Sequence, residues 1–459
     1  LIRFIRNIFA IPELRKRVVF TLMLLAVYRM GSQIMTPGLN ADALRQFFEA
    51  LQGSFFGFMD MFSGNNISRM TIFALGVMPY ISSSIILQLL QVVWPTLDRI
   101  AKEGELGKKK ITQYTRYGTV LICLIQGGGI AVGLENMNPN GIPVVLHPGW
   151  GFRLLTVLTL TTGTMFIMWL GEQISERGIG NGISLIIFAG IVVGLVPGVG
   201  KTLEGLRTGD MSPLKLIFIL ALVTAVIAFI CYVEMGQRRI PITYAKRIQG
   251  RRMMGGQSTY LPLKVNTGGV IPIIFASSVI TFPATILQFI KHPIAQKITG
   301  QLQFGMPLYT LLYIVSIIFF TYFYISIIFN PKDVSDNVQK YGGFIPGIRP
   351  GKNTTDYIDG VLSKLTFIGA IYLVLVALLP EFLLTGFKVG SLPLVGDFLE
   401  ANLPRWFYEG FNVQFYFGGT SILIVVGVAM DTVQQIEAQL TMRNYDSFSR
   451  KGRIRGRRG

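Results

Sequence analysis

Apolar residues come in long blocks along this chain, and neither the two-residue alternation of a strand nor the one-sided stripe of a soluble helix describes them. Ten blocks approach the roughly 20 residues that cross about 30 Å of hydrocarbon. They cover residues 18–35, 72–93, 117–134, 154–170, 183–199, 216–233, 268–290, 308–329, 365–379 and 415–430. Backbone amides in lipid must be bonded within their own segment, so each block is expected as a helix. An even number of crossings puts both termini on one side.

Composition sharpens this picture. Of 459 residues, 51% are apolar and 14% charged, against roughly 25% charged in an ordinary soluble protein. The mean hydropathy of +0.52 excludes a disordered, collagen-like or coiled-coil chain. A net charge of +18, from 42 Lys and Arg against 24 Asp and Glu, must therefore lie in the connections. With the N-terminus taken as cytoplasmic, that side carries 31 of the 42 basic residues, which leaves 11 elsewhere. Basic excess marks cytoplasmic loops, so both ends are expected in the cytoplasm.

Much enzyme chemistry is excluded. Charges such as Arg29, Arg116, Glu234, Glu381 and Asp431 stay near block ends, whereas proton relays and ion-coupled transporters normally place one inside. No phosphate-cradling loop, H-E-x-x-H or nucleophile elbow occurs. Cys123 and Cys231 sit in apolar runs and read as small hydrophobes, and His147 and His292 have no acidic or cysteine neighbour, so no metal site or cofactor is expected. No signal-peptide pattern precedes the first block, so targeting is expected to rest on the spans, with a few residues expected before Leu1.

Three connections are too rich to be linkers. Residues 237–264 carry seven basic and no acidic side chains, interleaved with Ile, Tyr, Leu and Pro. They read as a hairpin for a protein or RNA surface or, alternatively, as a patch for anionic lipid. Residues 330–351 end in a Gly- and Pro-punctuated tip bearing Arg349. Residues 60–71 are polar, broken by Gly and Asn, and stand ahead of a strongly apolar block. They read as an interfacial helix on the outer surface or as a re-entrant half-helix lining a cavity.

Six motifs, GVMPYISSSIILQLL (76–90), KEGELGKKKITQYTRY (102–117), GEQISERGIGNGISLIIFAGI (171–191), QRRIPITYAKR (237–247), GGFIPGIRPG (342–351) and FYFGGTSILIVVGVAMD (415–431), closely resemble the bacterial SecY family. The resemblance implies an all-α polytopic membrane protein of ten transmembrane helices, with a re-entrant plug half-helix and two five-helix halves of inverted pseudo-symmetry. The halves would be 1–205, with the plug at 60–71, and 206–459, with cytoplasmic loops at 236–266 and 330–361 and a basic tail at 432–459. Five spans being odd, the halves would insert in opposite orientation.

The function so implied is a channel that passes unfolded preproteins across the bacterial inner membrane and releases signal segments sideways into lipid. Its implied partners are SecE, SecG, the SecA ATPase, the ribosome, preprotein signal sequences and membrane lipids. By the same resemblance a pore ring would comprise Val77, Ile81, Ile183, Ile187, Ile274 and Ile424. Each i, i+4 pair falls on one helix face, although such aliphatic spacing is also ordinary packing. The plug would include Asp60, Gly64, Asn65, Asn66 and Arg69. A lateral gate would use Ser82, Ser83, Ser84, Gln126, Ser277, Ser278 and Thr281, unless the hydroxyls bond back to their own helices. SecA and the ribosome would dock on Arg238, Arg239, Arg247, Arg251, Arg252, Gly347, Arg349 and Pro350. The rival reading is a secondary transporter with a five-plus-five inverted repeat, which would need a midplane site of broken helices.

Overall fold

The computed structural model describes residues 11–50, 60, 63–135, 142–209, 212–244, 247–249, 252–254, 259–288, 300–302, 306–385 and 419–451. Each of the ten apolar blocks overlaps a helix among the described residues. In chain order the helices are α1 (Pro12–Gly31), α2 (Ala41–Ala50), α3 (Met78–Val93), α4 (Pro95–Lys102), α5 (Glu105–Glu135), α6 (Trp150–Arg177), α7 (Gly182–Thr208), α8 (Pro213–Met235), α9 (Ile271–Gln288), α10 (Pro307–Ile328), α11 (Pro331–Lys340), α12 (Lys352–Thr385) and α13 (Gly419–Lys451). Among the described residues six helices are long and apolar enough to cross a membrane, and the bent pair α3–α4 makes a seventh.

Local chemistry sets several boundaries. Pro12, Pro95, Pro213, Pro307 and Pro331 each open a helix, where a missing N–H costs nothing. Trp94 precedes Pro95 and is extended, as a residue before proline prefers, and the axis turns by 104° there. Asn330 caps α11 by accepting from the Lys332 N–H. The second apolar block was expected from residue 72, but helix geometry begins at Met78, and residues 72–77 run in consecutive turns.

The chain forms two compact units, one of residues 1–201, 281–303 and 428–459, the other of 202–280 and 304–427. In the first, α5 packs on both α3 and α6. The α5–α6 pair is tied by bidentate Arg116–Glu172 contacts of 3.1 and 2.7 Å and by Arg153–Glu135 at 2.6 Å. A separate apolar cluster joins Leu14 and Val18 of α1, Ile179, and Ile436 and Leu440 of α13.

In the second unit α10 and α11 pack on α12, beside a three-stranded sheet. Strand β1 (Gln237–Tyr244) is central, flanked by β4 (Thr259–Lys264) and β5 (Gly343–Phe344). Strands β2 (Arg247–Gln249) and β3 (Arg252–Met254) form a separate antiparallel pair.

Candidate functional site

Among the described residues of 60–77, Asp60 and Ser63 have helix geometry, and no helix continues past Ser63 because Gly64, Asn65 and Met70 have φ of 74°, 62° and 42°. Such left-handed backbone cannot propagate a right-handed helix. A Cβ on Gly64 would lie 2.8 Å from the Gly190 Cα of α7, so glycine is required there by packing as well as by φ.

Hydrogen bonds hold this shape in place of a ladder. The buried Asp60 carboxylate accepts from the Ile67 and Ser68 N–H groups, both at 2.9 Å, and from Ser63 Oγ at 3.3 Å. Asn66, only 1% exposed, donates through Nδ2 to the Ser63 carbonyl and the Tyr28 hydroxyl and accepts from Thr71 Oγ1. The far end is tied by backbone: Thr36 N–H donates to the Met70 carbonyl and Ile72 N–H to the Ile34 carbonyl, both at 2.9 Å. Arg69 is exposed and donates to Gln33.

The aliphatic candidates are placed unit by unit. In the first unit, Val77 and Ile81 at the start of α3 and Ile187 of α7 are buried, and Ile183 is half-buried. Ile274 of α9 and Ile424 of α13, in the second unit, are buried. The hydroxyl candidates behave unequally. Ser83 donates across to the Thr115 carbonyl of α5 at 2.8 Å, where Gly118 leaves no room for a Cβ against the Ser83 side chain. Ser277 and Ser278 donate to the Ile274 carbonyl of their own helix at 2.9 and 2.7 Å, and Ser84 accepts from Gln88 one turn on. Ser82 and Gln126 are buried, and Thr281 lies within α9.

The two basic connections, separate in sequence, meet in one sheet. Strand β1 pairs with β4 from Gln237↔Lys264 to Ile242↔Thr259, and its far end pairs with β5 through Thr243↔Phe344 and Tyr244↔Gly343. Beneath it Ile240, Leu263, Ile345 and Ile358 form a core, with Val334, Ile348 and Val361 packed against them. This core fixes the tip from both sides of Pro346. Gly347 and Gly351 take φ of 83° and 99°, Ser335 Oγ donates to the Gly351 carbonyl, and Thr354 Oγ1 donates to the Arg349 carbonyl. The side chains of Arg349 and Pro350 remain exposed. Arg238 and Arg239 are exposed too, the latter with its guanidinium 4.9 Å from the Tyr260 ring centroid. Arg247 and Arg252 belong to β2 and β3, and Arg251 lies outside the described residues.

Tyr28, Asn266 and Glu234 were not among the sequence candidates. Asn266 Nδ2 bridges the Glu234 carboxylate at 2.6 Å and the Gly269 carbonyl at 3.1 Å, where β4 leads into α9. The available signal was a polar group at the edge of an apolar run, which by itself does not name its partner. No group of three His, Cys, Asp or Glu side chains able to hold a metal occurs among the described residues.

Both the sequence and the fold have counterparts among known proteins. The SecY family model matches residues 71–433. Over 448 residues the chain is 49% identical to protein translocase subunit SecY of Escherichia coli K12, covering 97% of this chain and 96% of that one. The corresponding subunit of Aquifex aeolicus is 46% identical over 450 residues, covering 98% and 99%. A solved SecY, whose plug domain is described as stabilising the closed translocation channel and maintaining a membrane seal, shares the fold with a TM-score of 0.64 at 18% identity, covering 92% and 91%. Sec61 from a canine ribosome–channel complex of the endoplasmic reticulum does so with a TM-score of 0.60 at 17% identity and the same coverage.

Proposed function

The chain belongs to the SecY family, and from that membership we propose how its own residues divide the work of a channel for proteins. It is a multi-pass membrane protein and a protein-conducting channel subunit of a translocase, not an enzyme. The transporter reading has no support among these relatives.

The channel sits in a bacterial inner membrane with both termini in the cytoplasm, an orientation supported by the 31 basic residues that fall on one side. Unfolded chain enters from that side, and the two five-span halves, 1–205 and 206–459, enclose its path. Val77, Ile81, Ile183, Ile187, Ile274 and Ile424 provide the constriction. A narrow aliphatic ring dewets and blocks ions, yet flexible side chains yield to a polypeptide. Residues 60–71 are the plug. Side-chain bonds from Asp60, Ser63 and Asn66 within its turns support this reading, since polar groups at membrane depth must be bonded. Helices α3 and α9 are the lateral gate through which apolar signal segments reach lipid.

SecE and SecG are the small membrane partners. SecA and the ribosome dock on the sheet formed by residues 237–264 and the 343–351 tip, a reading in keeping with the ribosome-bound Sec61 neighbour. One observation carries this docking assignment: β5 pairs with β1, so the 343–351 tip that bears Arg349, an always-charged planar group, belongs to the same sheet as Arg238 and Arg239. In vesicles reconstituted with SecE, SecG and SecA, Arg349→Glu should reduce ATP-driven preprotein import at least about tenfold, as loss of a charged interfacial anchor does, while membrane insertion and folding stay intact. Import at the parent rate would reject the assignment.

A further inference from the structure

Tyr28 lies in α1, near its end, and only 5% of its surface is exposed. Stacking on Phe73 at 5.7 Å accounts for the ring but not for the hydroxyl. A hydroxyl buried in an apolar helix is unfavourable unless it is bonded. This one accepts from Asn66 Nδ2 at 3.2 Å and donates to the Ser63 carbonyl at 3.4 Å, partners 38 and 35 positions away.

Both partners belong to the leading half of the 60–71 segment. The other polar groups there bond within the segment: Asp60 to residues 63, 67 and 68, and Asn66 to residues 63 and 71. The trailing end is held differently, by the paired backbone bonds of residues 70 and 72 to residues 36 and 34. Among the described residues, Tyr28 is the side chain outside the segment that hydrogen-bonds its leading half.

We propose that the Tyr28 hydroxyl is a latch: with Asn66 and the Ser63 carbonyl it positions the leading half of the plug in its closed place, while the bridge at residues 34–36 keeps the trailing end tethered. The proposal rests on the reading of 60–71 as the plug. Neutral hydrogen bonds have modest net strength, so this latch biases the resting position and still yields to an arriving chain. Losing one should shift the closed–displaced equilibrium by about two- to tenfold. Tyr28 acts through the plug and is therefore a positioning residue.

The test measures resting ion conductance of the reconstituted channel complex in planar bilayers. Six forms are compared: the parent, Tyr28→Phe, Asn66→Ala, the double variant, a channel lacking residues 60–71, and that deletion combined with Tyr28→Phe. Tyr28→Phe keeps the ring stack and removes only the hydroxyl. It should raise resting conductance by about two- to tenfold, add less than that to Asn66→Ala because only the bond to the Ser63 carbonyl then remains to be lost, and change nothing once the segment is deleted. A merely structural role in α1 would leak equally in the deleted channel, and that result overturns the latch. So does a silent Tyr28→Phe when the deletion leaks, whereas a deletion that leaks no more than the parent rejects the plug reading itself. Should Asn66→Ala fail to assemble, labelling of Ser68→Cys by an impermeant maleimide replaces the cycle. Its rate should rise by the same factor with Tyr28→Phe, and an unchanged rate overturns the proposal.

Discussion

The 60–77 segment and the basic platform are both irregular connections beside spans, yet they are secured by opposite means. The platform has a dry core of Ile240, Leu263, Ile345 and Ile358 and a β ladder six residue pairs long on one side of β1. Among its described residues the segment has no ladder within it. Asp60, Ser63, Asn66 and Thr71 hold its turns, Tyr28 meets its leading half, and a two-bond bridge ties its trailing end. Apolar burial is cumulative and hard to undo in part, whereas a few neutral hydrogen bonds each contribute about 0.5–1.5 kcal/mol. A surface that must present charge in fixed geometry suits the first device, and an element that must leave its place and return suits the second.

Substitutions that strike one device and spare the other put this contrast at risk. The largest effect is expected from Ile358→Ala, because Ile358 is fully buried under the sheet and such truncations cost about 2–5 kcal/mol. Amide exchange in β1 and β4 should quicken and SecA-driven import should fall sharply, with resting conductance unchanged. A leak in that variant would mean that the two regions are not independent.

Next comes Asp60→Ala, which strands the Ile67 and Ser68 N–H groups; hydrogen bonds to a charged group are worth about 1.5–3 kcal/mol. Resting conductance should rise while SecA binding holds at the parent value. Asp60→Asn should restore most of the seal, since an amide oxygen can accept the same bonds. If Asn leaks as much as Ala, the carboxylate charge matters and the hydrogen-bonded turn is not the operative feature.

A smaller rise in conductance is expected from the triple change Ile81→Ser, Ile187→Ser and Ile274→Ser. It should hydrate the proposed aliphatic ring while leaving residues 60–71, the proposed plug, in position. Bilayer recordings of this variant with and without residues 60–71 sharpen the comparison, because a tight triple variant that leaks only after the deletion places the seal in the plug alone.

Much of this molecule is legible in its amino-acid sequence. Each of the ten apolar blocks overlaps a helix among the described residues, and the hairpin expected between residues 237 and 264 is there, because span length and Pro-broken alternation are local signals. The break at residues 64–66 is legible as well, since Gly and Asn interrupt a helix wherever they cluster. What the segment does after the break is not, because Met70 is no natural left-handed residue and takes φ of 42° only where the bridge to residues 34–36 holds it. The serines show the same boundary: their positions can be read, but nothing local separates Ser83, bonded across to Thr115, from Ser277, bonded to its own helix.

Short windows of sequence therefore settle the elements, their apolar lengths, the asymmetry of the basic connections and membership of the family, since each depends on periodicity, composition or motif. Folding in three dimensions was needed to settle that β5 completes the sheet begun by β1 about a hundred residues earlier, and that a tyrosine inside an apolar run meets Asn66. Hydrogen bonds are short and directional, so whether two polar groups 38 positions apart are partners depends on where the folded backbone places them to within a fraction of an ångström.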